Sequence, residues 1–323
     1  MADLPKLTVE QYNTISNGGW AETVDWDVVK TEFKKHQEAW KKAWDAYNKK
    51  DRPLRILAVH GSGRAYSAEC NYNSNSQYLL KEALKVVPEL DKEIEIDEVV
   101  LNEYNINACY NCVAITSALC GAPCSCHPVD GMQQLYPKFL RADVHLFSTG
   151  VNQSMPSSRL KLMFDRMISL DGGVAHGLPE DKMSDEFIAK MMALSANGDV
   201  AYDQRLYGRV AGYFIASKDE NNPHKTANHE PSDDEGIGQY GYLKAVGFML
   251  KDNLEAYGYF HDPMYYAGAA ANPDIDYMYD RETLESNTKA IEDGKEVIRK
   301  AIALAKKLKK DLPKYKSDRI NRT

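Results

Sequence analysis

Apolar positions recur along this chain in two alternating patterns. Short apolar or alternating runs at LRILAVH (54–60), EIEIDEVVL (93–101), DVHLFSTG (143–150) and RVAGYFIAS (209–217) predict β-strands, and GYFHD (258–262) predicts a fifth, shorter one. Segments with helical spacing stand between them: NSQYLLKEALKVV (75–87), MQQLYPKFLRA (132–142), RLKLMFDRM (159–167), YGYLKAVGFMLKDNLEAYG (240–258) and a last helix over residues 281–310. Pro137 should sit early in its helix or kink it, because proline lacks the N–H that a helix interior uses. Repeated strand–helix units predict an α/β fold with a parallel sheet, helices on both faces and right-handed crossovers.

Two regions stand apart from this alternation. In WDVVKTEFKKHQEAWKKAWDAYNK (26–49), Val28, Val29, Phe33, Trp40 and Trp44 fall near helical spacing, and Pro53 separates this helix from the first strand. It is expected to dock on the main domain or on a second subunit. The polar stretch KDENNPHKTANHEPSDDEGIGQ (218–239) is a long loop, of the length at which loops usually carry function or stay unstructured. The organisation expected is a helical extension over 1–52, a single α/β domain over 53–310 and a basic tail over 311–323.

Composition adds limits. The chain has 323 residues, 43% hydrophobic and 27% charged, with a net charge of −7, as in ordinary soluble globular proteins. No apolar run reaches the ~20 residues of a membrane span, and the opening MADLPKLTVEQ lacks the basic-then-apolar pattern of a secretory signal. A cytoplasmic protein is expected. The stretch KKLKKDLPKYKSDRINRT (306–323) carries eight Lys and Arg against two Asp. Without aromatic stacking groups it reads as a solvated helix end, not a nucleic-acid contact.

Cysteine usage is uneven. Five of six cysteines, Cys109, Cys112, Cys120, Cys124 and Cys126, lie in ACYNCVAITSALCGAPCSCHP (108–128) with spacing C-x2-C-x7-C-x3-C-x-C. In a reducing compartment such a cluster points to metal ligands or redox groups. Four thiolates suffice for an iron–sulfur cluster or for zinc, with His127 as a further nitrogen ligand. The third reading is reduced or redox-paired thiols that buttress a loop. Cys70 stands outside the pattern.

In open α/β sheets, ligands bind beyond the C-terminal strand ends. After the first strand, HGSGRAYSAECNYNSNSQ (60–77) offers Ser62, Arg64, Asn75, Ser76 and Gln77 ahead of a helix, an arrangement suited to a phosphate. It is neither a dinucleotide fingerprint nor a Walker loop, since the third glycine and the GK[ST] step are missing. After the third strand comes STGVNQSMPSSRLK (148–161), where Gly150 admits close approach of a planar ligand and Val151 to Met155 line its edge. Residues from Ser217 onward close the same crevice. His60 ends the first strand and is expected to be packed and hydrogen-bonded rather than a general acid.

The G-S-x-R step, the N-S pair at a helix start, and VNQSMPSSRLKLMFDRM (151–167) followed by DGG (171–173) resemble the NADPH-dependent FMN reductase family. The cysteine run resembles a cysteine-rich subgroup of NAD(P)H-dependent oxidoreductases, related to iron–sulfur flavoproteins. The resemblance spans residues 53–310 and implies a three-layer flavodoxin-like fold with a five-stranded parallel sheet. It implies an FMN phosphate site at Ser62, Arg64, Asn75, Ser76 and Gln77, and a loop against the isoalloxazine at Thr149, Gly150, Val151, Asn152, Gln153 and Ser154. In related proteins a [4Fe–4S] cluster occupies the cysteine position; Cys109, Cys112 and Cys126 match its ligands, Ile115 stands where the third is usual, and Cys120 or Cys124 would replace it. The activity implied is hydride transfer from NAD(P)H through FMN to a small acceptor such as a quinone, an aromatic compound or free flavin, by a homo-oligomer. The alternatives are an electron carrier that serves a partner protein without small-molecule turnover, and a redox-sensing binding protein. Two insertions, at 65–73 and 174–205, depart from the family pattern around the site.

Overall fold

The computed structural model describes residues 26–63, 74–111, 122–124, 127, 129–152, 155–171, 205–217, 241–261, 266–270 and 285–312. Its strands are β1 (Arg55–His60), β2 (Glu95–Val100), β3 (Val144–Asn152), β4 (Met155–Pro156), β5 (Val210–Ser217) and β6 (Tyr266–Ala270). Its helices are α1 (Trp26–Asn48), α2 (Asn75–Leu84), α3 (Val87–Leu90), α4 (Met132–Arg141), α5 (Ser158–Asp171), α6 (Gly241–Ala256) and α7 (Thr288–Lys310).

The sheet order is β2-β1-β3-β5-β6, with every neighbouring pair on that path parallel. This is the flavodoxin-like winding, with its switch point between β1 and β3. The two-residue β4 folds back antiparallel on the end of β3, pairing Val151 with Pro156 and Asn152 with Met155. Central strands are apolar on both faces because helices cover both. In β1, Ile56, Leu57, Ala58 and Val59 are all buried, whereas edge strand β2 buries only Val99.

Side-chain alternation sorts the core into two halves. Ile56 and Ala58 of β1 pack with Leu79, Leu80 and Ala83 of α2 and with Val297, Ile298 and Ala301 of α7. Leu57 and Val59 pack on the other face with Leu135 and Phe139 of α4, Met163 and Met167 of α5, and Val246 and Leu250 of α6. A Cβ on Gly294 would stand 3.2 Å from Ala83 Cβ and 3.2 Å from Phe214 Cε1, so this position lets α7 approach α2 and β5 closely.

Two expectations, the last strand and the buried face of α1, are corrected. The sheet's last strand is 266–270 and not 258–262; around the latter, Phe260 makes only an isolated bridge to Val210. Pro137 sits within α4, which nonetheless runs on to Arg141, its buried Met132, Leu135, Tyr136, Phe139 and Leu140 holding it to the core. In α1 the buried face is Phe33, Trp40 and Ala43, while Trp44 is exposed. Trp40 meets Tyr136 of α4 edge-on, with ring centroids 5.2 Å apart. So α1 docks on the domain itself; the side chains of Val28 and Val29 lie outside the described residues. The loop 218–239 also lies outside them.

Two histidines are buried in their neutral form. Burial, reinforced by Arg209, holds His145 well below the usual histidine range; its Nδ1 lies 2.6 Å from Tyr259 Oη and its Nε2 3.1 Å from the Phe139 carbonyl. Burial pushes His261 down to about 4, against the opposing pull of Glu255. Unfolded histidines take up protons near pH 6.5, earlier than these native ones do. Stability is therefore complete above about pH 6.5 and falls as the pH drops towards 4, with His261 alone contributing on the order of 3 kcal/mol. Urea titrations at pH 7.5, 6, 5 and 4 should show this fall; a flat profile would refute it.

Candidate functional site

The C-terminal ends of β1 and β3 lie side by side, His60 opposite Ser148. Their loops are tied together by one residue of the third-strand segment. Ser157 Oγ donates to the Gly61 carbonyl and accepts from Leu160 N–H at 3.3 Å, which caps α5. Ser157 N–H donates to Thr149 Oγ1 at 2.9 Å. Gly61 N–H in turn donates to the Ser148 carbonyl at 2.8 Å. The first loop, the β3–β4 hairpin and α5 thus form one rigid corner. A Cβ on Gly61 would lie 2.9 Å from Leu160 Cβ and 3.0 Å from the Ser148 carbonyl oxygen. Gly61→Ala should therefore push the first loop off the hairpin and destabilise the protein by about 1–3 kcal/mol. Thermal melting of the variant checks this; an unchanged Tm would show that the corner yields without cost.

Of the residues expected to bind phosphate, Ser62, Asn75, Ser76 and Gln77 are described and Arg64 lies outside the described residues. Ser62 is buried and its carbonyl accepts from Asn102 Nδ2 at 3.1 Å. Asn75, Ser76 and Gln77 form the first turn of α2, and no side chain caps that helix end. Ser76 Oγ is 2.9 Å from Ser74 Oγ. Gln77 is 5% exposed, and its Oε1 is buried without a hydrogen-bond partner among the described residues. An open helix N-terminus carries N–H groups that favour an anion.

Of the residues expected to face a ring system, Thr149, Gly150, Val151 and Asn152 end β3, and Gln153 and Ser154 lie outside the described residues. The Thr149 side chain is fully buried and turned inward, its Oγ1 donating to the Gly150 carbonyl at 2.9 Å. Exposure increases from Thr149 through Gly150 and Val151 to Asn152. Among the described residues, nothing lies within 4 Å of a Cβ built on Gly63, and only Ala216 O and Asn152 Oδ1, both at 4.0 Å, come that near one on Gly150. These two glycines leave room on the crevice side of both loops.

His60 is packed, as expected, with Nδ1 3.3 Å from Ser148 Oγ and Nε2 3.0 Å from Glu98 Oε2.

The cysteine segment is pinned to the same domain by a buried ion pair. Arg166 of α5 donates to the Asp130 carboxylate through Nη1 and, at 3.3 Å, through Nη2. Its Nη1 also donates to the Asn107 carbonyl at 2.9 Å, and its Nη2 lies 3.5 Å from Cys124 Sγ. Burial alone would lower the Arg166 pKa, but Cys124, Tyr136 and Asp130 around it hold it above its ordinary value. Gln133 Nε2 donates to the Cys124 carbonyl at 2.5 Å and the His127 carbonyl at 2.9 Å. His127 Nε2 stands 2.9 Å from the Ala108 carbonyl, and its ring packs on Tyr110. Burial first, and then Arg166, lower the His127 pKa.

Cys109 and Cys124 are the described members of the five; Cys112, Cys120 and Cys126 lie outside the described residues. Among the described residues no three His, Cys, Asp or Glu side chains converge on a metal position, and His127 is engaged with Ala108. Reading the sequence missed Ser157, Asp130, Arg166, Gln133 and Glu98. Ser157 and Arg166 stand within the stretch 151–167 that carried the family resemblance, which was the available signal.

Residues 54–207 match the model of the NADPH-dependent FMN reductase family. No curated protein matches the sequence. Among solved structures, RosB with bound 8-demethyl-8-formylriboflavin 5'-phosphate superposes with a TM-score of 0.52 at 15% identity, over 80% of this chain and 81% of that one. An FMN-dependent NADH-azoreductase from Bacillus anthracis in complex with FMN superposes more loosely, with a TM-score of 0.41 at 14% identity over 78% and 99% of the two chains. The RosB likeness is one of fold and covers 80% of this chain. Through residues 54–207, the chain is similar to the NADPH-dependent FMN reductase family.

Proposed function

We propose that this protein is an FMN-dependent oxidoreductase that uses NAD(P)H to reduce a small acceptor such as a quinone, an aromatic compound or free flavin. The observation that carries this reading is the uncapped first turn of α2 beside the Gly61–Ser62 turn, in a chain whose residues 54–207 match this family. Ser62, Arg64, Asn75, Ser76 and Gln77 would hold the phosphate, and Thr149 to Ser154 the ring. When bound, FMN supplies the capacity to accept a hydride from a nicotinamide and to pass on a hydride or single electrons. The chain's own work is to bind, orient and exclude water. N–H groups of α2 balance phosphate charge, and the Ser157 corner fixes the distance between the two loops. The buried Thr149 side chain contributes through that corner, so any contact it makes with the ring is through its backbone.

Visible absorption on adding FMN, followed by steady-state oxidation of NADPH and NADH with quinones, tests the reading. Failure to bind FMN would overturn it. Binding without turnover on any acceptor, together with rapid reduction by a ferredoxin, would replace it with the electron-carrier reading. That second reading rests on the anchored cysteine segment, in which four of Cys109, Cys112, Cys120, Cys124 and Cys126 would ligate a [4Fe–4S] cluster. Iron and acid-labile sulfide assays on anaerobically purified protein test it. A homo-oligomer is part of the proposal, with the exposed Val129 and Met155 as side chains it would cover; size-exclusion chromatography with light scattering tests that.

A further inference from the structure

The first loop leaves β1 after His60 and is held from two sides. From the β3 side, Gly61 N–H donates to the Ser148 carbonyl at 2.8 Å, and the Gly61 carbonyl accepts from Ser157 Oγ. From the β2 side, Asn102 Nδ2 donates to the Ser62 carbonyl at 3.1 Å. The first two bonds belong to the corner that carries the β3–β4 hairpin. The third bears on the Ser62–Gly63 peptide.

Asn102 is a well-fixed donor. It lies in the short 3-10 turn Leu101–Glu103, directly after β2, whose Val100 pairs with His60 of β1. Leu101 is fully buried, and its carbonyl accepts from Tyr104 N–H at 3.2 Å. The Asn105 carbonyl accepts from Gly131 N–H at 2.7 Å. A Cβ on Gly131 would stand 2.8 Å from Tyr104 Cβ, so the chain beyond the turn is in close contact with that glycine. The backbone is therefore pinned on both sides of Asn102.

The Asn102 bond decides which way a peptide plane faces. The Ser62–Gly63 bond is trans, and in a trans peptide the C=O and the N–H point in opposite directions. With the Ser62 oxygen turned to Asn102, the Gly63 N–H is turned away from it. Gly63 is exposed, and its N–H has no acceptor among the described residues. A solvent-facing backbone N–H of this kind is a donor for an anion. Without the Asn102 bond the plane can turn over and offer its carbonyl oxygen instead, which repels an anion.

We propose that Asn102 is a positioning residue for the flavin phosphate: it orients the Ser62–Gly63 peptide so that the Gly63 N–H faces the phosphate and the Ser62 oxygen does not. This rests on the FMN reading above. Asn102 acts through the peptide and not by touching the ligand. The loop expected at the ring is held by a different set of bonds, those of Ser157. The contribution of Asn102 therefore falls on the phosphate end of the ligand.

The test is the affinity of the full chain for FMN and for riboflavin, which has the ring system without the phosphate, measured by flavin fluorescence quenching in wild type, Asn102→Ala and Asn102→Asp. Asn102→Ala removes the donor without adding charge. Asn102→Asp keeps the shape and replaces the amide with a carboxylate that only accepts. FMN binding should weaken about five- to tenfold in both variants, while riboflavin binding stays within about twofold of wild type. Retained riboflavin binding also reports that the variants are folded. Equal losses for the two flavins would show a merely structural bond and overturn the proposal. Unchanged FMN affinity in Asn102→Ala would overturn it too, even with a loss in Asn102→Asp, since that loss would be one of charge; so would an Asn102→Asp that binds FMN as wild type does. A wild-type protein that binds neither flavin would overturn the FMN reading itself, an outcome separate from all of these.

Discussion

Arg166→Ala is expected to destabilise the protein by about 3–5 kcal/mol, because it leaves the Asp130 carboxylate buried without its counter-charge. The two side chains are 1% and 2% exposed, so water cannot replace the guanidinium. Among the described residues, Asp130 would keep only backbone donors, from Asn107 at 3.2 Å and Met132 at 3.1 Å. The same change frees the Asn107 carbonyl and removes the cation beside Cys124, so the cysteine segment should loosen along with the fold. Urea unfolding measures the first effect, and the rate at which Cys124 reacts with a thiol reagent measures the second. The double variant Arg166→Met with Asp130→Leu should recover most of the lost stability, since it removes both charges together. A loss below about 1 kcal/mol in Arg166→Ala would show that Asp130 finds another partner.

Asp143→Ala should have an effect of similar size at the opposite end of the sheet. Asp143 receives Arg52 Nη1 at 2.6 Å and Nη2 at 2.7 Å in a bidentate pair, and Arg55 N–H at 2.9 Å. The ion pair is buried, with side chains 5% and 7% exposed. Arg52 also donates to the Tyr47 carbonyl at the end of α1, and its guanidinium lies 4.4 Å from the Tyr47 ring centroid. Arg209, fully buried, lies 3.3 Å from the same centroid. Burial lowers the Arg209 pKa, and Tyr47 and Asp143 act against that. Removing Asp143 therefore leaves two clustered guanidiniums with little compensation. A loss of about 3–5 kcal/mol is expected, with faster proteolysis near residues 48–52 as α1 comes away. Unchanged proteolysis at that point would show that Trp40 and Phe33 alone hold α1.

These two clusters mark where local patterns stop being informative. The first four strands follow from runs whose ends lie within two residues of the observed ones, because a buried parallel strand must be apolar along its length and glycine or polar residues must end it. The fifth was misplaced for a physical reason. Tyr259 and Phe260 have higher strand propensity than the small residues of YAGAA, yet Phe260 forms no more than an isolated bridge with Val210, and the ladder resumes at Tyr266 beside Tyr213. In α1, Trp40 and Trp44 are equally apolar in sequence, and only the position of Tyr136 decides which one is buried.

The candidate site divides in the same way. The two loops proposed to hold the ligand were picked out because ligand sites in this fold lie beyond strand ends, a rule that needs only the order of elements. The function of Thr149 was not, since its hydroxyl turns inward to the Ser157 corner. Sequence by itself determined the class of fold, the order of its elements and the family likeness, since all of these rest on periodicity and short motifs within one segment. Tertiary structure alone decided which polar groups meet. Asp130 and Arg166 are 36 positions apart, His60 and Ser148 88 apart, and Arg52 and Asp143 91 apart. Such pairs depend on strand order and register, which bring distant residues together with a geometry that no local pattern encodes.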